Sequence, residues 1–157
     1  MRMQSLDHEN LFMGLAIELA RAAYDNDEVP VGAVIVQKRN NEVISAFSNQ
    51  MRKQKSSIAH AEMLAIQKAN KIIDNERLIG CEMFVSLEPC PMCAGAALVA
   101  RISHVVFGAE DPKAGSLGSL YQLGGDPRLN HEFTVTPRVL QEECGDLLTK
   151  FFSGKRD

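Results

Sequence analysis

One histidine, one glutamate and two cysteines stand in two short stretches of this 157-residue chain, Ala59-His60-Ala61-Glu62 and Pro89-Cys90-Pro91-Met92-Cys93. His60, Cys90 and Cys93 are residue types that bind zinc. A structural zinc site takes four protein ligands, whereas a catalytic one takes three and keeps a position for water. Two cysteines three residues apart lie on one face of a helical first turn, so both sulfurs reach one ion. Pro89 and Pro91 suit the entry to a helix, where a missing N–H costs nothing. The free N–H groups and positive dipole end of that turn favour thiolate over thiol.

Glu62 carries the chemical reading. In a helix interior, positions two apart point to nearly opposite sides, so His60 and Glu62 would diverge. At a first turn the site sits end-on, and both side chains reach a group held there. A carboxylate beside an activated water takes its proton and passes it to a substrate nitrogen. A lone Cys-x-x-Cys is also compatible with a redox pair or half of a structural zinc knuckle. Cys81 and Cys144 are the other two cysteines and have no Cys-x-x-Cys partner. A four-cysteine site is therefore disfavoured, with Cys81 left open as a fourth ligand.

The length fits one domain, residues 1–157, with a substantial core. Hydrophobic content of 45% and charged content of 24% are ordinary for a globular protein. No apolar run approaches the ~20 residues of a membrane span. Residues 1–10 lack the apolar centre of a signal peptide. The expected compartment is the cytoplasm, where cysteines stay reduced and free to bind metal. A net charge of −3 does not advertise a nucleic-acid binder, since such domains are usually basic. Local clusters keep that class open, at Arg52, Lys53 and Lys55, and at Lys150, Lys155 and Arg156.

The elements that must position these residues follow in order. Asp7 reads as an N-cap, and Leu11, Leu15 and Leu19 recur at helical spacing, with Phe12 and Ala23 near that face. Residues 24–27 end that helix. Residues 29–36 read as a buried strand, Asn40-Asn41 as a turn, and 43–47 as the returning strand of a hairpin. Gly32 removes a side chain where another group approaches the backbone. A polar connector, 48–58, leads to the His60 helix, with Met63, Ile66, Ala69 and Ile73 along one side. A strand over 83–87 delivers Glu88 and the cysteine turn. The next helix, 92–100, is rich in small residues that permit close approach to a sheet. A fourth strand spans 104–107. The β-α-β-α-β order from Val43 onward implies parallel pairing of the later strands. Residues 109–131, with four glycines, make a loop long enough to be functional. Phe133 and Val135 mark a fifth strand. Thr136-Pro137 reads as a helix opening, followed by the stripe Val139, Leu140, Cys144, Leu147, Leu148 and Phe151.

His-x-Glu followed by Pro-Cys-x-x-Cys is a known signature of zinc nucleobase deaminases, a pattern match rather than an inference from spacing. The chain further resembles the bacterial tRNA-specific adenosine deaminases of the cytidine-deaminase-like superfamily. The resemblance rests on Glu28-Val29-Pro30-Val31-Gly32-Ala33-Val34, on Asn49 eleven residues before His60, and on Leu87-Glu88-Pro89-Cys90-Pro91-Met92-Cys93-Ala94-Gly95-Ala96. It extends through Arg101-Ile102, Val105-Val106-Phe107-Gly108-Ala109, Asp111-Pro112-Lys113, Gly118-Ser119, Leu129-Asn130-His131 and Phe151-Phe152. Ser56-Ser57-Ile58 stands where the family often has Asp-Pro-Thr.

The resemblance implies an α/β fold, three-layer α/β/α with a five-stranded mixed sheet, as a homodimer. It implies hydrolytic deamination of the wobble adenosine of a tRNA anticodon, in an arginine tRNA, to inosine and ammonia. By carry-over His60, Cys90 and Cys93 hold one Zn2+ per chain and Glu62 shuttles protons. Asn49 would hydrogen-bond the flipped base, with Val31 and Ala59 as further substrate-binding candidates. Asp111, Lys113 and the Phe151–Phe152 tail would lie near the anticodon loop, and Lys113, Lys155 and Arg156 are expected at phosphates. A base buried in a stack cannot enter such a pocket, so an exposed loop base is the expected substrate. Two rivals stand beside this reading: a deaminase of free guanine, cytosine or a nucleoside, and a zinc-stabilised RNA-binding module without catalysis. Glu62 speaks against the second.

Overall fold

A computed structural model describes residues 2–154, with side chains from Leu6 onward. Lys155 and Arg156 lie outside the described residues. Five strands form one mixed sheet in the order β2-β1-β3-β4-β5. They are β1 Gly32–Gln37, β2 Glu42–Ser48, β3 Cys81–Leu87, β4 His104–Ala109 and β5 Thr134–Thr136. β1 pairs antiparallel with β2 through the Asn40-Asn41 turn and antiparallel with β3. β3–β4 and β4–β5 are parallel, the first joined by the helix over Pro91–Val99 and the second by the long loop.

Helices cover both faces. Helices α3 (Ala61–Ile73) and α4 (Pro91–Val99) lie on one side, and α1 (Arg2–Asp25) and α5 (Gln141–Gly154) on the other. Ala33, Ile35, Met83, Val85, Val105 and Phe107 join the α3/α4 core. Val34, Val36, Phe84 and Val106, their neighbours in sequence, join the α1/α5 core. Strands buried on both faces read as continuous apolar runs, which is why 29–36 looks uniformly hydrophobic.

Several local expectations are corrected. Asp7 is not a cap, because α1 starts at Arg2 and runs through it. The buried stripe of α1 is Phe12, Met13, Ala16, Ile17, Ala20 and Ala23, while Leu11 and Leu15 are exposed. Ala16 and Ala20 stand where α1 lies hardest against β1. Strand β1 begins at Gly32, not Val29, since the Val31 N–H closes on the Val29 carbonyl at 2.9 Å in a tight turn around Pro30. The polar connector holds a one-turn helix α2 (Met51–Gln54). Thr136 ends β5 rather than capping a helix, because it pairs with Val106. Helix α5 starts only after Arg138 and Leu140 pass through left-handed backbone at φ 61° and 51°.

Gly32 shows what sets the distance between α1 and the sheet. A Cβ there would stand 2.1 Å from the Ala16 carbonyl oxygen and 2.6 Å from Leu19 Cβ. The sequence expectation of a close backbone approach is met, and the approaching group is α1. Gly32→Ala should therefore force helix and strand apart and destabilise the fold by about 1–3 kcal/mol, the usual cost of overpacking. Urea unfolding monitored by circular dichroism is the check; an unchanged midpoint would contradict the tight contact.

Candidate active site

The two motifs meet because two helices begin at the same place. His60 is the N-cap of α3, with extended backbone at φ −67° and ψ 150°; Cys90 is the N-cap of α4, at φ −74° and ψ 174°. Neither uses its side chain for a capping hydrogen bond, so imidazole and sulfur are free to point elsewhere. Pro91 occupies the first helical position of α4, where a missing N–H is harmless. His60 Nδ1 lies 3.3 Å from Cys93 Sγ and 3.7 Å from Cys90 Sγ. Nitrogen and sulfur bound to one tetrahedral zinc at ordinary bond lengths sit roughly 3.5 Å apart. The three donors therefore fit one zinc ion, with a fourth position left open. Cys81 does not join them. It is buried at the first residue of β3, the end of the strand remote from the Cys90 turn.

The protons around these donors are unevenly shared. A hydrogen bond from Cys93, opposed by burial and helped by His60, holds the Cys90 thiol down at about 4. The same bond to Cys90, with burial and the Glu62 charge, pushes Cys93 far up. His60 is raised by its bond to Cys90, against burial and with help from Glu62.

Glu62 sits in the first turn of α3 and is 4% exposed. Burial raises its carboxyl, against the backbone N–H and the His60 charge. His60 stands outside the helix in extended backbone, so the divergence expected of a helix interior does not apply. The Glu62 charge acts on both His60 and Cys93, which places the carboxyl beside the ligand set. A buried acid whose proton is easily held, beside a metal-ligand set, is suited to proton transfer.

Around His60, Glu62 and Cys90 the pocket is lined by Val29, Val31, Asn49 and Met51, by Leu87 and Glu88, and by Asp111 and Ala114. Asn49 is buried; its Nδ2 donates to the Val29 carbonyl at 3.2 Å and its Oδ1 accepts the Met51 N–H at 3.2 Å. One amide N–H and one lone pair remain for a ligand. Ala59 is buried but does not line the pocket; its carbonyl accepts the Gln50 N–H at 3.0 Å. Asp111 lines it, with Oδ1 accepting the Lys113 and Ala114 N–H groups at 3.0 and 3.3 Å. Lys113 and Phe152 line an adjoining groove that shares Val29, Leu87 and Asp111 with the pocket. Phe151 is buried and packs on Tyr24 instead.

Sequence reasoning missed Met51, Ala61, Leu87, Glu88 and Ala114 as lining residues, and gave no role to the buried Glu28 and Glu88. Glu28 accepts the Arg52 and Lys53 N–H groups at 3.0 and 2.8 Å and so fixes α2 beside Asn49. Glu88 accepts hydrogen bonds from the loop after β4. Their only signal was position, each directly before the wall or ligand residues.

The ligand chemistry has a measurable consequence. Zinc uptake by apoprotein at neutral pH should release protons, because metal binding requires thiolate and neutral imidazole. Loading should weaken as pH falls, since protons then compete for sulfur and imidazole. Titration calorimetry in buffers of different ionisation enthalpy is the check; zero proton release would contradict the assignment.

Comparisons with known proteins agree with this geometry. Residues 6–109 match the family model for the cytidine and deoxycytidylate deaminase zinc-binding region. The tRNA-specific adenosine deaminase of Bacillus subtilis is 46% identical over 94% of this chain and 90% of its own. That of Haemophilus influenzae is 42% identical over 96% of this chain and 87% of its own. A solved structure from studies of A-to-I editing by tRNA:A34 deaminases superposes with a TM-score of 0.83 at 39% identity, covering 87% of this chain and 98% of that one. Guanine deaminase from Nitrosomonas europaea superposes with a TM-score of 0.76 at 27% identity, over 92% and 84% of the two chains. On these matches the chain belongs to the tRNA-specific adenosine deaminases, within the zinc-binding cytidine and deoxycytidylate deaminase family.

Proposed function

We propose that this protein is a zinc-dependent hydrolase, one domain over residues 1–157, that converts adenosine to inosine at the wobble position of a tRNA anticodon. The observation that carries this is the burial of Glu62 against a three-ligand zinc set at the joint N-termini of α3 and α4. His60, Cys90 and Cys93 hold the ion. When bound, zinc supplies Lewis acidity that brings the pKa of water at that point toward about 7. Glu62 takes one proton from the attacking water and gives it to the purine ring nitrogen as oxygen adds to C6. It then moves the second proton to the amine, which leaves as ammonia. The free edge of the Asn49 amide holds the base, and Val31 packs against it. Asp111, Lys113 and Phe152 meet the flanking nucleotides along the adjoining groove.

The tRNA partner is supported by the relatives, and an arginine tRNA by family resemblance alone. No helix among the described residues is long and apolar enough to cross a membrane. Cytoplasmic residence is supported by the use of cysteine as metal ligand. A homodimer is supported by the exposed apolar side chains of Val99, Leu120, Tyr121 and Leu129. Inosine analysis of tRNA, run beside free guanine, tests the reaction; turnover of guanine without inosine in tRNA would overturn it.

Glu62→Gln keeps the side chain's size but removes its basicity. Zinc content and stem-loop binding should persist while turnover falls by about 10²–10⁴-fold or more. Undiminished inosine formation would remove Glu62 from the proton path. Lys113→Ala should flatten the salt dependence of stem-loop binding by roughly 0.7–0.9 units of log–log slope, as one phosphate contact is lost. An unchanged slope would make Lys113 ordinary surface.

A further inference from the structure

Glu88 is 2% exposed and stands two residues before Cys90. Its Oε1 accepts the Asp111 N–H at 3.0 Å and the Ser119 hydroxyl; its Oε2 accepts the Leu117 and Ser119 N–H groups, each at 3.0 Å. Four donors fill the four lone-pair positions of one carboxylate. Among the described residues no lysine, arginine or histidine pairs with it. Its charge is held by main-chain dipoles and one hydroxyl, as in an anion-binding nest. The fit is close, since a Cβ on Gly115 would stand 2.3–2.5 Å from the carboxylate atoms. A second strap ties the same parts together: the Ser116 N–H donates to the Pro89 carbonyl at 2.9 Å.

We infer that Glu88 is a positioning residue for substrate, the internal anion around which residues 111–119 fold. The loop forms no helix or strand of its own, only turns and a bridge of Leu117 to Gln122, and the carboxylate ties those turns into one shape. Through that loop Glu88 sets where Asp111 and Ala114 stand in the pocket that also holds Asn49. It also keeps this wall in register with the Cys90 turn, so ligand set and substrate wall move as one piece. Glu62 handles protons, whereas Glu88 handles shape. The substrate side of this inference rests on the deaminase reading above.

Glu88→Gln tests it, because an amide places a donor where the loop offers only donors. Zinc content should stay at one per chain. Hydrogen exchange of the amides of residues 111, 117 and 119 should accelerate roughly tenfold or more, the size expected for lost charge-assisted bonds. KM for an anticodon stem-loop should rise by about tenfold, with kcat changed much less. Ser119→Ala removes one donor and should move the same readouts in the same direction by about threefold. It decides the matter if Glu88→Gln does not fold. The inference is overturned if these amides exchange at the wild-type rate. It is equally overturned if kcat falls in step with the folded fraction while KM stays fixed, since that marks a merely structural role. Wild-type protein that makes no inosine would refute the deaminase reading separately, and amide exchange alone would then decide the clamp.

Discussion

Two helix N-termini must meet at one point, and most of the molecule serves that requirement. A β-α-β crossover sends β3 up, α4 back and β4 up again, so α4 starts at the carboxyl end of β3. Helix α3 leads into β3 and runs the other way, so its start lies at that same edge. Ligand sites in open α/β sheets form beyond the carboxyl ends of strands for this reason. Here the edge gathers two N-caps, a histidine and a cysteine, whose side chains do not cap. The dipoles of both helices favour negative charge at the meeting point, which suits thiolates and a carboxylate held close together.

Among the described residues, three of the four buried glutamates show how environment divides labour, the fourth, Glu82, facing His8. A carboxylate removed from water either gathers donors or keeps a proton. Glu28 and Glu88 gather main-chain N–H groups from α2 and from the 111–119 loop. The donors around Glu88 outweigh its burial and lower its pKa. Glu62 has few donors, and burial raises it. The first two are held fast by their donors, while the third lies beside the ligand set with its carboxyl raised by burial.

This arrangement separates reaction from recognition. The two helix starts bring His60, Ala61, Glu62 and Cys90 to the pocket. The walls, residues 29–31, 49–51 and 111–114, are irregular segments anchored by Glu28 and Glu88. A guanine deaminase shares the overall fold at 27% identity, so the scaffold does not dictate one substrate. Wall segments of this kind accept change without disturbing the ligand geometry.

The clustering of His60, Cys90 and Cys93 and the succession of five strands along the chain were legible in the sequence. Metal chemistry restricts which residues serve at which spacing, and hydrophobic runs bounded by turn residues mark strands whatever surrounds them. Element edges were less legible. The inward face of α1 depends on how close Gly32 lets the helix come, and the start of α5 depends on Thr136 pairing with β4. Both are contacts between segments far apart in the chain. The roles of Glu28 and Glu88 were decided only by tertiary structure. A glutamate in sequence is a charged, usually exposed residue; it becomes an anchor only when folding buries it and brings a distant loop's N–H groups around it.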